Sequence, residues 1–157
     1  MPDIFTKELG TVLVAAAPLS ELRGAIPLAT AVFGFTPLKA FALSVIGNFL
    51  PVLPIILGLE AVANFLGRRV SFFDRFFNRL FRHTRERHTR HFELWGPLAL
   101  FMFVAIPMPL TGAWSGAVAA FIFGIPFWRA VISITLGIVA AGIIVTFATL
   151  TGFLIFS

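Results

Sequence analysis

The sequence predicts an all-α integral membrane protein. Two inverted repeats, each a re-entrant helical hairpin followed by a transmembrane helix, flank a basic amphipathic interfacial helix. Three observations predict this class. First, 59% of the 157 residues are hydrophobic and only 12% are charged, about half the charge of an ordinary soluble domain, and the mean hydropathy is +0.98. That much apolar surface exceeds what one small core buries, which excludes a soluble globular enzyme and a disordered chain. Second, 11 of the 19 charges fall in residues 68–93, leaving charge-free runs at 9–20, 24–38, 40–59, 94–128 and 130–157. A crossing takes about 20 apolar residues. Third, the features of the first half recur in the same order about 90 residues later.

Residues 1–8 are short and polar, with Asp3 and Glu8 set against Lys7. That is a poor start for a signal peptide, so no cleavage is expected at Ala15-Ala16-Ala17. Residues 9–19 are apolar and stop at Pro18 and the cluster Ser20-Glu21-Leu22-Arg23-Gly24; a second apolar piece, 25–35, closes at Gly34-Phe35-Thr36-Pro37. Each piece is 11 residues long, about 16 Å as a helix, or half a bilayer. Two half-length arms around a charged break read as a re-entrant hairpin, shaped by Pro18, Gly24 and Pro27. The alternative is one kinked span with Glu21 and Arg23 near its middle.

Residues 38–60 form a full span containing Pro51 and Pro54. From about 64 to 93 a helical stripe of Phe72, Phe73, Phe76, Phe77, Leu80 and Phe81 is surrounded by Arg68, Arg69, Arg75, Arg79, Arg82, Arg85, Arg87 and Arg90. Such a helix lies on an anionic leaflet, with membrane lipids as its partners. The net charge of +5 would also suit nucleic acid, but phenylalanine at helical spacing favours lipid, and no nucleic-acid partner is expected. Residues 94–109 then lead to Pro107-Met108-Pro109 and the turn Thr111-Gly112-Ala113-Trp114-Ser115-Gly116. A short arm ends at Phe123-Gly124-Ile125-Pro126, and a last span covers 130–156. The repeats are thus about 9–60 and 94–156 of a single membrane domain, 1–157.

A shift of 90 residues places Ala29, Phe33, Gly34, Ala40 and Gly47 on Ala119, Phe123, Gly124, Ala130 and Gly137, with Lys39 on Arg129. Parity then makes the repeats inverted: a hairpin returns to its own side and the span after it crosses once. Many secondary transporters share this architecture and place the site between the repeats. The positive-inside rule puts residues 68–93 in the cytoplasm, so both termini lie outside a multi-pass protein of the cell membrane. With few helices to enclose a path alone, a homodimer is expected.

Glu21 and Arg23 carry the sharpest chemical signal. A charge at mid-membrane costs about 2.5–3.5 kcal/mol on insertion scales and is paired or faces a polar cavity. Arg23 suits a phosphate or carboxylate, because its fork donates several bonds and stays charged. Burial favours a neutral carboxyl, which makes Glu21 a candidate proton acceptor. An internal ion pair that merely holds the hairpin is the structural alternative. Thr111, Ser115 and the amides near Gly112 are candidate donors opposite Arg23, and Trp114 either stacks on a substrate or walls the cavity. Pro107, Pro109 and Gly116 shape the second hairpin, and Gly112-x-x-x-Gly116 with Ala113, Ala117 and Ala120 forms a small-residue packing face. Asn48 is expected to bond a neighbouring helix, while Lys39 and Glu60 snorkel to the interface. The absence of cysteine excludes disulfides and thiolate sites. His83, His88 and His91 sit among cations, so no metal is expected there. With no phosphate loop, nucleotide fingerprint or hydrolytic triad in the sequence, neither a cofactor nor an enzymatic activity is expected.

The strings Ser20-Glu21-Leu22-Arg23-Gly24-Ala25-Ile26-Pro27 and Pro107-Met108-Pro109-Leu110-Thr111-Gly112-Ala113-Trp114-Ser115-Gly116 resemble those of the small multidrug export protein family. That family is placed in the wider DedA/VTT superfamily. The resemblance spans roughly residues 9–150 and implies two opposed hairpins, each followed by a span, and lipid translocation. DedA proteins carry an acidic residue in the first hairpin, where Glu21 stands here. Their second hairpin holds two arginines, where this chain has Val104 or Ala105 and Leu110; Arg23 would substitute for them from the first hairpin. The resulting expectation is translocation of an amphipathic phosphate-bearing lipid, a polyprenyl phosphate or phospholipid, with proton coupling through Glu21. Proton-coupled export of small lipophilic cations is the alternative, and a membrane-shaping or assembly subunit acting through the Phe/Arg helix is the third reading.

Overall fold

The computed structural model describes residues 3–69, 90–108 and 111–156. Among the described residues the regular structure is helical, without strands. Helix α1 is Ile4–Ala16 and α2 is Glu21–Pro27, followed by a π-helical turn, Leu28–Val32. Then come α3, Pro37–Phe49, and α4, Val52–Arg69. The second half holds α5, Arg90–Ala105, α6, Ala113–Ile122, and α7, Phe127–Phe156.

Prolines set several boundaries. Pro18 disfavours a helical residue before it, and Ala17 is extended, so α1 stops at Ala16. Pro37 opens α3, where its missing N–H costs nothing. Leu50 and Pro51 interrupt the first long apolar stretch, and Pro54 falls in the first turn of α4, where the N–H is unpaired in any case. Pro27 cannot donate to the Arg23 carbonyl one turn back. The helix widens just beyond it, and the Phe33 N–H reaches the Leu28 carbonyl at 3.2 Å. The turn after each short arm passes through a left-handed glycine, Gly34 at φ +70° and Gly124 at φ +65°, a region open to glycine without steric cost.

Several boundaries differ from the sequence reading. Helix α1 starts at Ile4 rather than residue 9, because Lys7 and Glu8 are accommodated in its first turns: Lys39 pairs with Glu8 and sits 4.4 Å over the Phe35 ring. Lys39 therefore forms an internal contact instead of simply snorkelling. The break of the first half is only Ala17–Ser20, and Glu21 and Arg23 stand in the first turn of α2. Helix α4 runs past residue 60 to Arg69, and α5 begins at Arg90, not 94, since nothing between Arg90 and Gly96 breaks a helix. Residues 70–89 of the expected interfacial helix, with Arg75, Arg79, Arg82, His83 and His88, lie outside the described residues, as does Pro109.

Pro37–Val62 and Phe127–Gly152, 26 residues each, are long and apolar enough to cross a bilayer. Leu38, Ile46, Leu50 and Leu57 on the first and Ile132, Leu136, Ile143 and Phe147 on the second are exposed. Faces of this kind match hydrocarbon rather than water. Inside, α1 packs on α3 and α5 packs on α7; α2 lies against α3 and α7, and α6 against α4 and α7. The core joins Leu22 and Ile26 of α2, Val52 and Ile56 of α4, Val104 of α5, the alanines of α6, and Ile134 and Ile138 of α7. Two glycines let backbones meet: Gly47 lies against the Val12 carbonyl of α1, and Gly137 against Val104 and the Phe101 carbonyl of α5. Small-residue approaches of this kind are how membrane helices gain contact without a hydrophobic driving force.

Candidate functional site

The start of α2 meets the start of α6. Glu21 has a left-handed backbone, φ +45°, and its side chain is buried. A non-glycine residue in that conformation costs about 1–2 kcal/mol and persists only where its surroundings over-determine it. They do so here. The Trp114 backbone N–H donates to the Glu21 carboxylate, and Arg23 Nη2 lies 3.9 Å from Glu21 Oε2. The carboxylate also lies against Gly112, the residue before α6, where any Cβ would overlap it. Gly112 carries no capping side chain, so Glu21 satisfies the helix N-terminus from the other half of the chain and places its negative charge at the positive end of the dipole.

Two further bonds cross between the halves. Arg23 Nη2 donates to the Thr111 carbonyl at 2.6 Å, and the Trp114 indole N–H donates to the Ala16 carbonyl at the end of α1 at 2.9 Å. Each broken segment therefore supplies the partner that the other lacks. A bilayer core satisfies no backbone groups, so breaks survive there only with such partners.

The expected site residues take differing parts. Thr111 meets Arg23 through its carbonyl, as an acceptor. Its hydroxyl donates within its own loop to the Ile106 carbonyl at 2.6 Å and accepts the Met108 N–H at 3.1 Å, so it is not the donor the sequence suggests. Ser115 donates to the Gly112 carbonyl at 3.3 Å, also locally. Gly116 is a packing position, since a Cβ there would press on Val104. Gly24 lies against Ser20, whose hydroxyl caps the Val14 carbonyl at 2.6 Å. Pro18 precedes the break and Pro27 ends α2, while Pro107 lines the site. Arg68 and Arg69 end α4.

A small cavity lies at this junction. Its polar lining is Glu21, Arg23, Thr111 and Asn48; Leu22, Val104, Ile138, Ala141 and Val145 form the apolar wall. Its volume is about 10 Å³, room for one water molecule. Asn48 is the residue that sequence reasoning placed elsewhere. It is 1% exposed, and its Oδ1 has no hydrogen-bond partner among the described residues. The available signal was a lone amide in an apolar span, and only the fold shows which way that amide faces. The lining has too few carboxylate or imidazole groups to suggest a metal centre.

Comparison with known proteins follows the same residues. No curated protein and no solved structure matches the chain. Residues 21–144 match the family described as "Putative small multi-drug export protein". The match begins at Glu21 itself, takes in the first string from that residue and the whole of the second, and extends into the second long apolar helix, covering most of the chain; the protein belongs to this family of small multi-drug export proteins.

Proposed function

We propose that the chain is a proton-coupled membrane transporter of an amphipathic anion, with Glu21 occupying the anion's place until a proton neutralises it. The observation that carries this reading is the setting of the Glu21 carboxylate, held by Arg23, the Trp114 N–H and the N-terminus of α6. Two unit charges about 4 Å apart attract by about 4 kcal/mol at an effective dielectric of 20. Protonation removes that attraction, and Arg23 and the α6 amides then accept the anionic group of a substrate in exchange. The cavity has room for about one water and not for a head group, so the α2–α6 clasp must part for substrate to enter. A phosphate-bearing lipid is the substrate that the resemblance to DedA/VTT proteins suggests.

The two halves serve as inverted repeats in this reading, each a re-entrant hairpin and a span. Their packing supports it: α1 on α3 corresponds to α5 on α7, and α2 on α7 corresponds to α6 on α4. The left-handed turns at Gly34 and Gly124 also fall 90 residues apart. The site then lies near the midplane, residues 68–93 face the cytoplasm, and two copies flank the path in the cell membrane.

Export of a lipophilic cation is the second reading, and the family description favours it. A cation drawn to Glu21 must come close to Arg23, whose repulsion opposes it. Both readings are tested in proteoliposomes with three probes: a fluorescent polyprenyl phosphate, a phosphatidylcholine analogue and tetraphenylphosphonium. The expected result is movement of the phosphate probe, loss of its pH dependence in Glu21→Gln with folding retained, and at least a tenfold loss of rate in Arg23→Ala. Transport of tetraphenylphosphonium alone, unharmed by Arg23→Ala, would establish the cation reading instead. If neutralising Arg68, Arg69, Arg75, Arg79 and Arg82 outweighs both site changes, the membrane-shaping role takes precedence.

A further inference from the structure

We propose that Asn48 is a positioning residue of the transport site, whose amide oxygen holds a single water molecule against the Glu21 carboxylate. Asn48 is the next-to-last residue of α3, just before the break at Leu50–Pro51, and it lines the polar junction. A buried carbonyl oxygen without a donor is costly, and a group that supplies one is required. The cavity that Asn48 shares with Glu21 has room for one water. Ionised Glu21 is acceptor-only, as is the Asn48 oxygen, and one water has two hydrogens to give, one to each. The water sits on an apolar wall of Val104, Ile138, Ala141 and Val145, so these two oxygens fix its orientation.

This inference rests on the proton-coupled reading above. Arg23 is the other charged group lining the cavity. Of the charged residues on the helices packed around α2, Lys7 and Glu8 lie at the far end of α1, Lys39 pairs with Glu8, and Arg129 opens α7 nine residues before Ile138. None of them lines the site.

Asn48→Leu fills the cavity and expels the water. The ionised carboxylate then loses a charge-assisted bond, and the neutral acid loses only an ordinary one; the charged form suffers more. The midpoint of pH-dependent transport should therefore move to higher pH by about one unit, a tenfold change in proton affinity. Asn48→Ala removes the oxygen that orients the water but leaves space for it, and should move the midpoint in the same direction by less than Asn48→Leu does. Ser44 is also buried without a partner, one turn earlier on α3 and outside the cavity lining, so Ser44→Ala should leave the midpoint unchanged. A folded, active Asn48→Leu protein with the wild-type midpoint would overturn the inference. If that variant does not fold, a structure of the wild-type full chain with ordered water resolved decides, and an empty space between Asn48 and Glu21 would overturn it. Wild-type transport that ignores pH would sink the proton-coupled reading alone, and the water between the two side chains would then be judged by that same structure.

Discussion

Glu21 holds an unfavourable backbone conformation so that one carboxylate can close the junction between two halves of the chain. Its left-handed φ would suit glycine, yet a glycine there would leave Arg23 and the first amides of α6 without their anion. The complementary concession is at Gly112, where the missing Cβ is the space that the carboxylate fills. Gly112→Ala should therefore cost about 1–3 kcal/mol, the range for overpacking a filled site. In a Glu21→Ala background the same change should cost much less, because the atoms it strikes are gone. Thermal unfolding of the two single variants and the double variant in detergent gives the coupling, expected at about 1 kcal/mol or more. Additive effects would mean that the two residues do not share this space in the folded protein.

Among the helices, the arms are short because proline and glycine end them, and short arms leave backbone groups exposed. The Ala16 carbonyl is met by the Trp114 indole and the Thr111 carbonyl by Arg23. The breaks thus stabilise each other as a pair, and under the proposed transport cycle parting α2 from α6 would replace these bonds with water or substrate. The turns that return each arm to its long helix are more independent. Gly34→Ala and Gly124→Ala should each cost about 1 kcal/mol through the left-handed backbone alone. Because the backbone bonds of each turn return to its own arm, from Phe35 to Ala29 and from Ile125 to Ala120, their effects should add within about 0.5 kcal/mol in denaturant unfolding. Strong coupling between them would show that the turns touch a common element.

For the molecule as a whole, the inverted arrangement has a direct test. The chain contains no cysteine, so single-cysteine variants report one position each. Thr36 and Pro126 are both exposed and stand 90 residues apart, at equivalent points before the long apolar helices. With residues 68–93 in the cytoplasm, Thr36→Cys should react with a membrane-impermeant maleimide added to intact cells. Pro126→Cys should react only after the cells are opened. Labelling of both from the same side would end the inverted-repeat reading and, with it, the midplane location of the site.

Periodic and compositional properties were legible residue by residue. Charge-free runs of bilayer length, the basic block at 68–93, and the prolines and glycines that interrupt helices are local features, and helices respond to them locally. The second short arm, for example, closes at Phe123-Gly124 as its sequence suggests, because a left-handed glycine needs no tertiary contact to favour a turn. Glu21 and Arg23 also stood out, since charge in an apolar segment is anomalous wherever the chain folds. Their partners were not legible in this way. That Thr111 offers a carbonyl rather than a hydroxyl, that Gly112 is bare to admit a carboxylate, and that Asn48 lines a cavity with Glu21 all depend on approaches across about 90 or 60 residues of chain. Hydrogen bonds act over about 3 Å. Sequence spacing specifies which face of a helix a residue occupies, and only the packing of several helices decides which atoms come within that reach.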